Sequence, residues 1–375
     1  MSLERPTEPP RPELVAPVGP RARRVGLGRR RPVALLAILG PGLVVMLADT
    51  DVGTLITAAQ SGARFGCEMV LPNLVLVPIL YVVQEITVRL GVVTGRGHGA
   101  LIRERFGLWW GLLSALTLFA TGVGALLTEF ASVAGVGDLF GIPRAITVPV
   151  AAAFLIGIAF TGSYRRAERV GIAFGLAKLV FVPAMILAHP SLRAIGSGLV
   201  HVPLHDSAYV LLLAANVGAV IMPWMIFYQQ GAVIDKGLSR ADIRSERRDT
   251  ALGAVLTQSI MIVMVLAFAA TVGVTHAGAT LDWTHTLNER PSRSSATFYT
   301  VYTLANVLGA LIVLVSLDLV NLVIDVEVMN ALLLPIVLGF LLVLERTALP
   351  DVYRMHGAYP VSVTALCVLV IGFGL

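Results

Sequence analysis

The sequence predicts an all-α protein that crosses a lipid bilayer about ten times, with its first and sixth membrane helices broken near mid-membrane. Three observations lead there. Hydrophobic residues make up 56% of the chain and charged ones only 14%, at a mean hydropathy of +0.83. A soluble chain of this length cannot hide so much apolar surface. Basic residues gather in alternate loops between the apolar runs. Two runs also carry residues that an unbroken membrane helix does not hold cheaply: Asp49, Asp51 and Gly53 in one, Met222-Pro223-Trp224 in the other.

The elements follow in order. Residues 1–31 are Pro-rich, polar and then arginine-rich, with no apolar core of a cleaved leader. They are expected to be a disordered cytoplasmic tail. Apolar runs then mark spans at about 33–62, 68–93, 108–134, 145–162, 171–188, 208–233, 250–274, 298–320, 327–344 and 360–375. All of residues 32–375 are read as one membrane domain. Arginines 21, 23, 24, 29, 30 and 31 precede the first span and place the N-terminus inside. Basic loops after the second, fourth and sixth spans agree, as the positive-inside rule requires. The alternation fails at Arg290 and Arg293, and again at Arg346 and Arg354. One further crossing between about 275 and 289 would repair both, but that stretch reads THAGATLDWTHTLNER and is not apolar. It is therefore expected to be a connection outside the membrane. Five spans per half, 33–188 and 208–344, plus a C-terminal helix at 360–375, suit the inverted halves of many secondary transporters.

Several functions are disfavoured. The pI of 9.5 reflects arginines in short loops, not a basic patch interleaved with aromatics, so nucleic acid is not an expected partner. Cys67 and Cys367 lie far apart and form no metal-ligand spacing. No phosphate-binding glycine loop, nucleophile elbow or HExxH helix is present, so no enzyme activity and no cofactor are expected. All seven histidines fall in loops or at span ends, which argues against an imidazole site at mid-membrane.

The two interruptions hold the candidate site. One carboxylate in hydrocarbon costs about 2.5–3.5 kcal/mol on insertion scales, so it usually faces a cavity and binds something. Gly53 lets the backbone leave the helix, and Asp51 and the Thr54 hydroxyl then offer hard oxygens suited to Mg²⁺, Mn²⁺ or Ca²⁺. The plainer alternative is that Asp51 only caps the following half-helix. Asp49 is placed at the entry. Pro223 removes a backbone N–H, which frees the Ala219 carbonyl one turn earlier. Met222 offers a thioether favouring Mn²⁺ or Fe²⁺, or simply packs. Glu129 in the third span is a relay or a helix-pairing group. Asp325 and Glu327 enter the ninth span; Glu327 is a further candidate for the site, with a juxtamembrane loop position the plainer reading. Glu85 and Arg89 are four apart and expected to pair. Gly171 and Gly175 form a small-residue packing face. Lys178 stands mid-span without an assigned role.

At these positions the chain resembles the Nramp family of divalent-metal transporters, from about Leu39 onward. Gly40-Pro41-Gly42, eight residues and then Asp51-Val52-Gly53-Thr54 are similar to that family's G-P-G and D-P-G-N patterns. Met222-Pro223-Trp224 stands at its M-P-H. The stretches VVQEITVRLGVVTGRG and TGSYRRAERV also look like family segments. D-x-D-x-G with P-W-M-x-F-Y is similar to the Nramp-related magnesium transporter branch. The resemblance implies a LeuT-like inverted-repeat fold, with a divalent ion as substrate held by Asp51, Thr54, the Ala219 carbonyl and Met222. It implies that an eighth span is missing near 275–297, and that Trp224 stands where relatives carry a titratable histidine. The expectation is an integral protein of a bacterial plasma membrane that moves Mg²⁺ or Mn²⁺ by alternating access. A proton-coupled Mn²⁺/Fe²⁺ symporter and a non-transporting remnant of the same fold are the alternatives.

Overall fold

Asp51 starts the first described helix, because its carboxylate caps the free N–H groups that a helix start leaves. The computed structural model describes Met46 and residues 50–161, 178–271, 307–316, 318–357 and 359–374. The expected tail at 1–31, Asp49, Gly171, Gly175 and the 275–297 connection lie outside the described residues.

Twelve helices carry the described fold: α1 Val52–Phe65, α2 Val70–Thr94, α3 His98–Phe106, α4 Leu108–Leu139, α5 Arg144–Thr161, α6 Phe181–Leu187, α7 Leu192–Gly198, α8 Ser207–Val220, α9 Pro223–Asp235, α10 Ile243–Ala270, α11 Leu319–Ala348 and α12 Tyr359–Gly374. Residues 307–315 are also helical. Local chemistry sets the ends. Gly66 (φ +58°) closes α1, and Gly95 (φ +64°) closes α2 in the left-handed conformation. Asp206 caps α8, Pro223 occupies the first position of α9, and Asp318 caps α11 through the Val320 and Asn321 N–H groups.

Five helical stretches among the described residues are long and apolar enough to cross a bilayer: Val52–Thr94, Leu108–Leu139, Ser207–Asp235, Ile243–Ala270 and Leu319–Ala348. The described part of the fifth expected span turns by 113° between Lys178–Leu187 and Leu192–Gly198. The α8–α9 span is the central one: its apolar window is 72% buried, against 39–50% for the others. It packs on α11, α2 and α1, while α10 lies across α1 and α2 and α11 lies along α4. Leu116, Val150, Phe154, Leu252 and Leu311 face outward, where lipid covers them.

Polar residues join the helices at depth. Asn216 of α8 donates to Ser61 of α1 at 2.7 Å and accepts from Asn73 of α2 at 3.2 Å. Such bridges serve in lipid, where helix association gains little from the hydrophobic effect. Glycines set the closest approaches. A Cβ on Gly62 would strike the Val265 backbone of α10, and one on Gly218 would strike the Glu327 backbone of α11.

Two expectations need correction, one is extended, and one residue left without a role gains one. The span expected at 327–344 begins at Leu319, because Asp318 caps it there, so Asp325 and Glu327 lie well inside the helix rather than in a loop. The span expected from 250 begins at Ile243, so Arg244, Arg247 and Arg248 are helical rather than in the connection. Glu85 and Arg89 do pair, yet Glu85 also accepts from Arg247 of α10 at 2.6 Å, and Arg89 reaches Glu345 of α11 at 3.6 Å. The local pair is one part of a network tying three helices. Lys178 acquires a role, described below.

His98 illustrates how tightly this network-bearing end is built. Gln230 of α9 donates through Nε2 to the Arg96 carbonyl at 2.8 Å, which turns its Oε1 to His98 Nδ1 at 3.1 Å. Nδ1 is therefore the protonated nitrogen. Nε2 is buried and meets no hydrogen-bond partner among the described residues, and Phe227 covers the ring edge-on at 4.9 Å. Burial pushes the imidazole down to about 4. The folded protein thus resists a proton that the unfolded chain accepts below about 6.5. Stability is full above about pH 6.5 and falls as pH drops toward 4, by about 3 kcal/mol from this group. His98→Asn, which keeps the donor to Gln230, should flatten the decline of the unfolding temperature across that window. An equal pH dependence in the variant would show that His98 does not contribute.

Candidate metal centre

The two breaks meet. Thr50 and Asp51 lead into α1, between Met46 and that helix, and Ile221 and Met222 interrupt the central span. A break in hydrocarbon strands backbone groups that must find partners. The Met46 carbonyl, ahead of the first break, accepts from Thr257 Oγ1 of α10 at 2.8 Å and from Thr50 Oγ1 at 3.2 Å. The Thr50 carbonyl accepts from the Lys178 ammonium. Lys178 is half-buried in a turn ahead of α6 and brings a positive charge that acts on Asp51.

Asp51, Thr54 and Ala219 are brought together as expected. Asp51 Oδ1 accepts from the Thr54 N–H at 2.9 Å and from the Thr54 hydroxyl at 3.0 Å. The same hydroxyl lies 3.1 Å from the Ala219 carbonyl. One hydroxyl carries one proton, so it serves one of these two acceptors fully at a time. Capping and ligation are therefore not exclusive here. Asp51 caps α1 with one oxygen, and the three oxygen atoms converge at the meeting of the two broken helices. Asp51 is 9% exposed and Thr54 and Ala219 are fully buried.

Met222 lies in the same break and is 1% exposed. Its sulfur accepts from the Trp224 indole N–H at 3.1 Å, and Trp224 stacks edge-on near Tyr228. Trp224 thus fixes the thioether rather than presenting a titratable group. Gly53 has a distinct task. A Cβ there would overlap Glu327 Oε1 and press on Thr128 of α4, at 3.1–3.2 Å. Its bare Cα is what admits the Glu327 carboxylate beside α1.

Glu327 is 1% exposed, accepts from Asn330 at 2.9 Å through Oε2, and is close enough to Asp51 for their charges to interact. It belongs beside the site and not at a membrane surface. Asn330, one turn along on the same face, was not read from the sequence. The available signal was a Glu and an Asn three apart in an apolar run, which share a helix face. Glu129 is half-buried on α4, next to Thr128. No group of three or more His, Cys, Asp or Glu residues converges among the described residues. The donor set is therefore mixed: carboxylates, a hydroxyl, a carbonyl and a thioether.

Comparison with known proteins bears on this arrangement. Residues 42–289 match the family model described as natural resistance-associated macrophage protein-like. The "Divalent metal cation transporter MntH" of Verminephrobacter eiseniae is 28% identical over 257 residues, 66% of this chain and 56% of that protein. Its counterpart from Deinococcus radiodurans is 28% identical over 249 residues, 64% of this chain and 55% of that protein. The match thus spans little more than half the length of these curated relatives. The solved manganese transporter of Eremococcus coleocola superposes with a TM-score of 0.70 at 17% identity, covering 94% of this chain and 88% of that one. That likeness shows the fold, and it is the LeuT-like membrane fold with broken first and sixth spans.

The Gly53–Glu327 contact makes a local prediction. Glycine to alanine inside a helix ordinarily stabilises by up to about 1 kcal/mol. Gly53→Ala should instead destabilise the detergent-purified protein, because the added methyl meets Glu327 and Thr128. In a Glu327→Ala background the penalty should shrink by at least half. An undiminished penalty in the double variant would assign the clash to Thr128 or the backbone.

Proposed function

Because this chain belongs to the Nramp family, we propose that it moves divalent metal cations across a membrane by alternating access of two inverted halves. The carrying observation is the convergence of Asp51, Thr54 and the Ala219 carbonyl, at 3.0–3.1 Å contacts, where two broken helices meet. Three oxygens from two helices supply part of the oxygen shell a hard or borderline cation takes, water completing the rest, and the ion is the substrate, not a resident cofactor.

The proposed ligands are Asp51, Thr54, the Ala219 carbonyl and Met222, with the Glu327 carboxyl beside them. Asp49 and Glu129 are assigned to the approach. Motion of one broken helix against the other separates the Thr54 hydroxyl from the Ala219 carbonyl, so the ligand set is whole in one arrangement and divided in another. The Met222 thioether supports Mn²⁺ over Mg²⁺, since soft donors discriminate against hard ions. The names of the relatives, which specify divalent metals and manganese, support the same choice. Trp224 supports movement without a proton carried at that position, because an indole N–H only donates. The resulting picture is a protein of the plasma membrane with the arginine-bearing face, and the N-terminus, on the cytoplasmic side.

Uptake into proteoliposomes, compared for Mn²⁺, Mg²⁺, Fe²⁺ and Ca²⁺, tests the whole reading. Mn²⁺ should enter saturably, and Asp51→Ala should reduce entry by at least about a hundredfold while the protein remains folded. Absent uptake of every ion in the unmodified protein would leave a non-transporting member of the family. Unchanged Mn²⁺ uptake in Asp51→Ala would remove Asp51 from the site.

Lys178 makes a second, opposite prediction. Its ammonium sits at the first break, where a cation must arrive. Like charges in a poorly hydrated site repel strongly. Lys178→Gln keeps a donor for the Thr50 carbonyl and removes the charge, and it should tighten Mn²⁺ binding by roughly tenfold in calorimetry. Weaker binding would mean that the ammonium holds the break in shape.

A further inference from the structure

On the face that carries the basic loops, the residues around the start of α10 and the 351–354 turn enclose a cavity of about 460 Å³. Pockets for small ligands run to roughly 300–1,000 Å³. Five guanidiniums line this one: Arg89, Arg240, Arg244, Arg247 and Arg354. Three carboxylates touch them. Glu85 pairs with Arg89 and Arg247, Glu345 with Arg89, and Asp351 with Arg354. Arg240 and Arg244 pair with none of these carboxylates. Asp242, beside the rim, turns its carboxylate to the Ser239 N–H and hydroxyl, at 2.9 and 2.7 Å.

The arginines differ in what holds them. Arg89 is buried and spends its donors on Glu85 and the Tyr353 carbonyl. Arg247 and Arg354 are anchored at one edge and partly exposed. Arg240 lies over the Tyr353 ring, its guanidinium carbon 5.1 Å from the centroid, which holds the group flat at the cavity wall. Arg244 is exposed and meets no carboxylate among the described residues. Like charges gathered in one hollow repel unless an anion joins them. Guanidinium forks match phosphate oxygens two at a time. Asp242 makes no side-chain cap to α10, whose N-terminal end lies at this cavity.

We propose that this cavity is a binding site for a phosphate-bearing anion, held chiefly by Arg240, Arg244 and Arg247. The phosphate can belong to a lipid headgroup, since basic hollows between membrane helices at this depth take such groups, or to a soluble polyphosphate. Occupancy braces α10 against the turn at 351–354. The α10 helix also packs on α1, so the bound anion stabilises the frame around the first break.

The test uses the full chain, purified in detergent, and reads thermal stabilisation against two probes. One is inorganic pyrophosphate. The other is cardiolipin in phosphatidylcholine vesicles, compared with phosphatidylcholine alone. Stabilisation by pyrophosphate alone identifies a soluble phosphate, by cardiolipin alone a headgroup, and by both a site that reads phosphate from either source. In each case the Arg240→Ala/Arg244→Ala variant should raise the half-saturating concentration by about tenfold or more. Arg105→Ala, an exposed arginine outside the cavity, should leave it unchanged. Arg244→Lys, which keeps the charge and loses the fork, should fall between. No stabilisation by either probe, or an equal loss in Arg105→Ala, overturns the proposal.

Discussion

A polar backbone group inside hydrocarbon must have a partner, and much of this structure answers that demand. Breaking a helix at Thr50–Asp51 and another at Ile221–Met222 strands carbonyls and N–H groups near the middle of the fold. Each is met by something brought from elsewhere in the chain. Thr257 reaches the Met46 carbonyl, Lys178 the Thr50 carbonyl, Thr54 the Ala219 carbonyl. Of these donors, Thr257 lies on α10, which packs against α1, and Thr54 lies on α1, which packs against α8. The breaks therefore organise the bundle as well as the site.

How much of this was legible follows from what each signal depends on. Apolar runs depend on transfer energy alone, so the spans at 108–134, 145–162 and 208–233 correspond to helices α4, α5 and the α8–α9 pair. Asp51, Thr54, Ala219 and Met222 were readable because a carboxylate, glycine or proline in hydrocarbon has few cheap explanations. Boundaries were less legible. The α10 and α11 helices extend past the apolar run, into Arg244 and Arg247 at one start and Leu319 at the other, where capping and ion pairs decide. The loop alternative for Glu327 fails for that reason. That residue's position depends on Asp318 capping α11, and its neighbours depend on Gly53 and Gly218, which let two backbones approach. Lys178 was illegible because its partner is a carbonyl 128 residues away. No local pattern encodes that.

The glycines show why the site tolerates so little change. Gly218 brings α8 against the backbone at Glu327, and Gly53 leaves room for that residue's carboxylate. The first fixes where α11 lies, and the second decides what α11 can present there. A helix held by backbone contact cannot retreat from an added methyl, whereas a side chain can rotate away. The two glycines therefore differ in kind: Gly218 is a constraint on the bundle, and Gly53 on the chemistry.

Charge at depth is resolved in three ways, and the difference separates scaffold from function. Glu85, Arg89, Arg247 and Glu345 form a balanced set of two carboxylates and two guanidiniums. This hydrogen-bonded network ties α2, α10 and α11 together, and the exposed edge of Arg247 is the part of it left open to a further partner. Asp51, on which the Lys178 ammonium acts, and the Glu327 carboxyl stand together where two helices are broken. In the arginine cavity Arg240 and Arg244 pair with no carboxylate among the described residues. Removing charge from water is costly, and a surplus that its own chain does not cancel persists in a fold only where something else cancels it. By that reasoning the paired carboxyl groups at the breaks suit a cation, and the guanidiniums without carboxylate partners at the α10 start suit an anion.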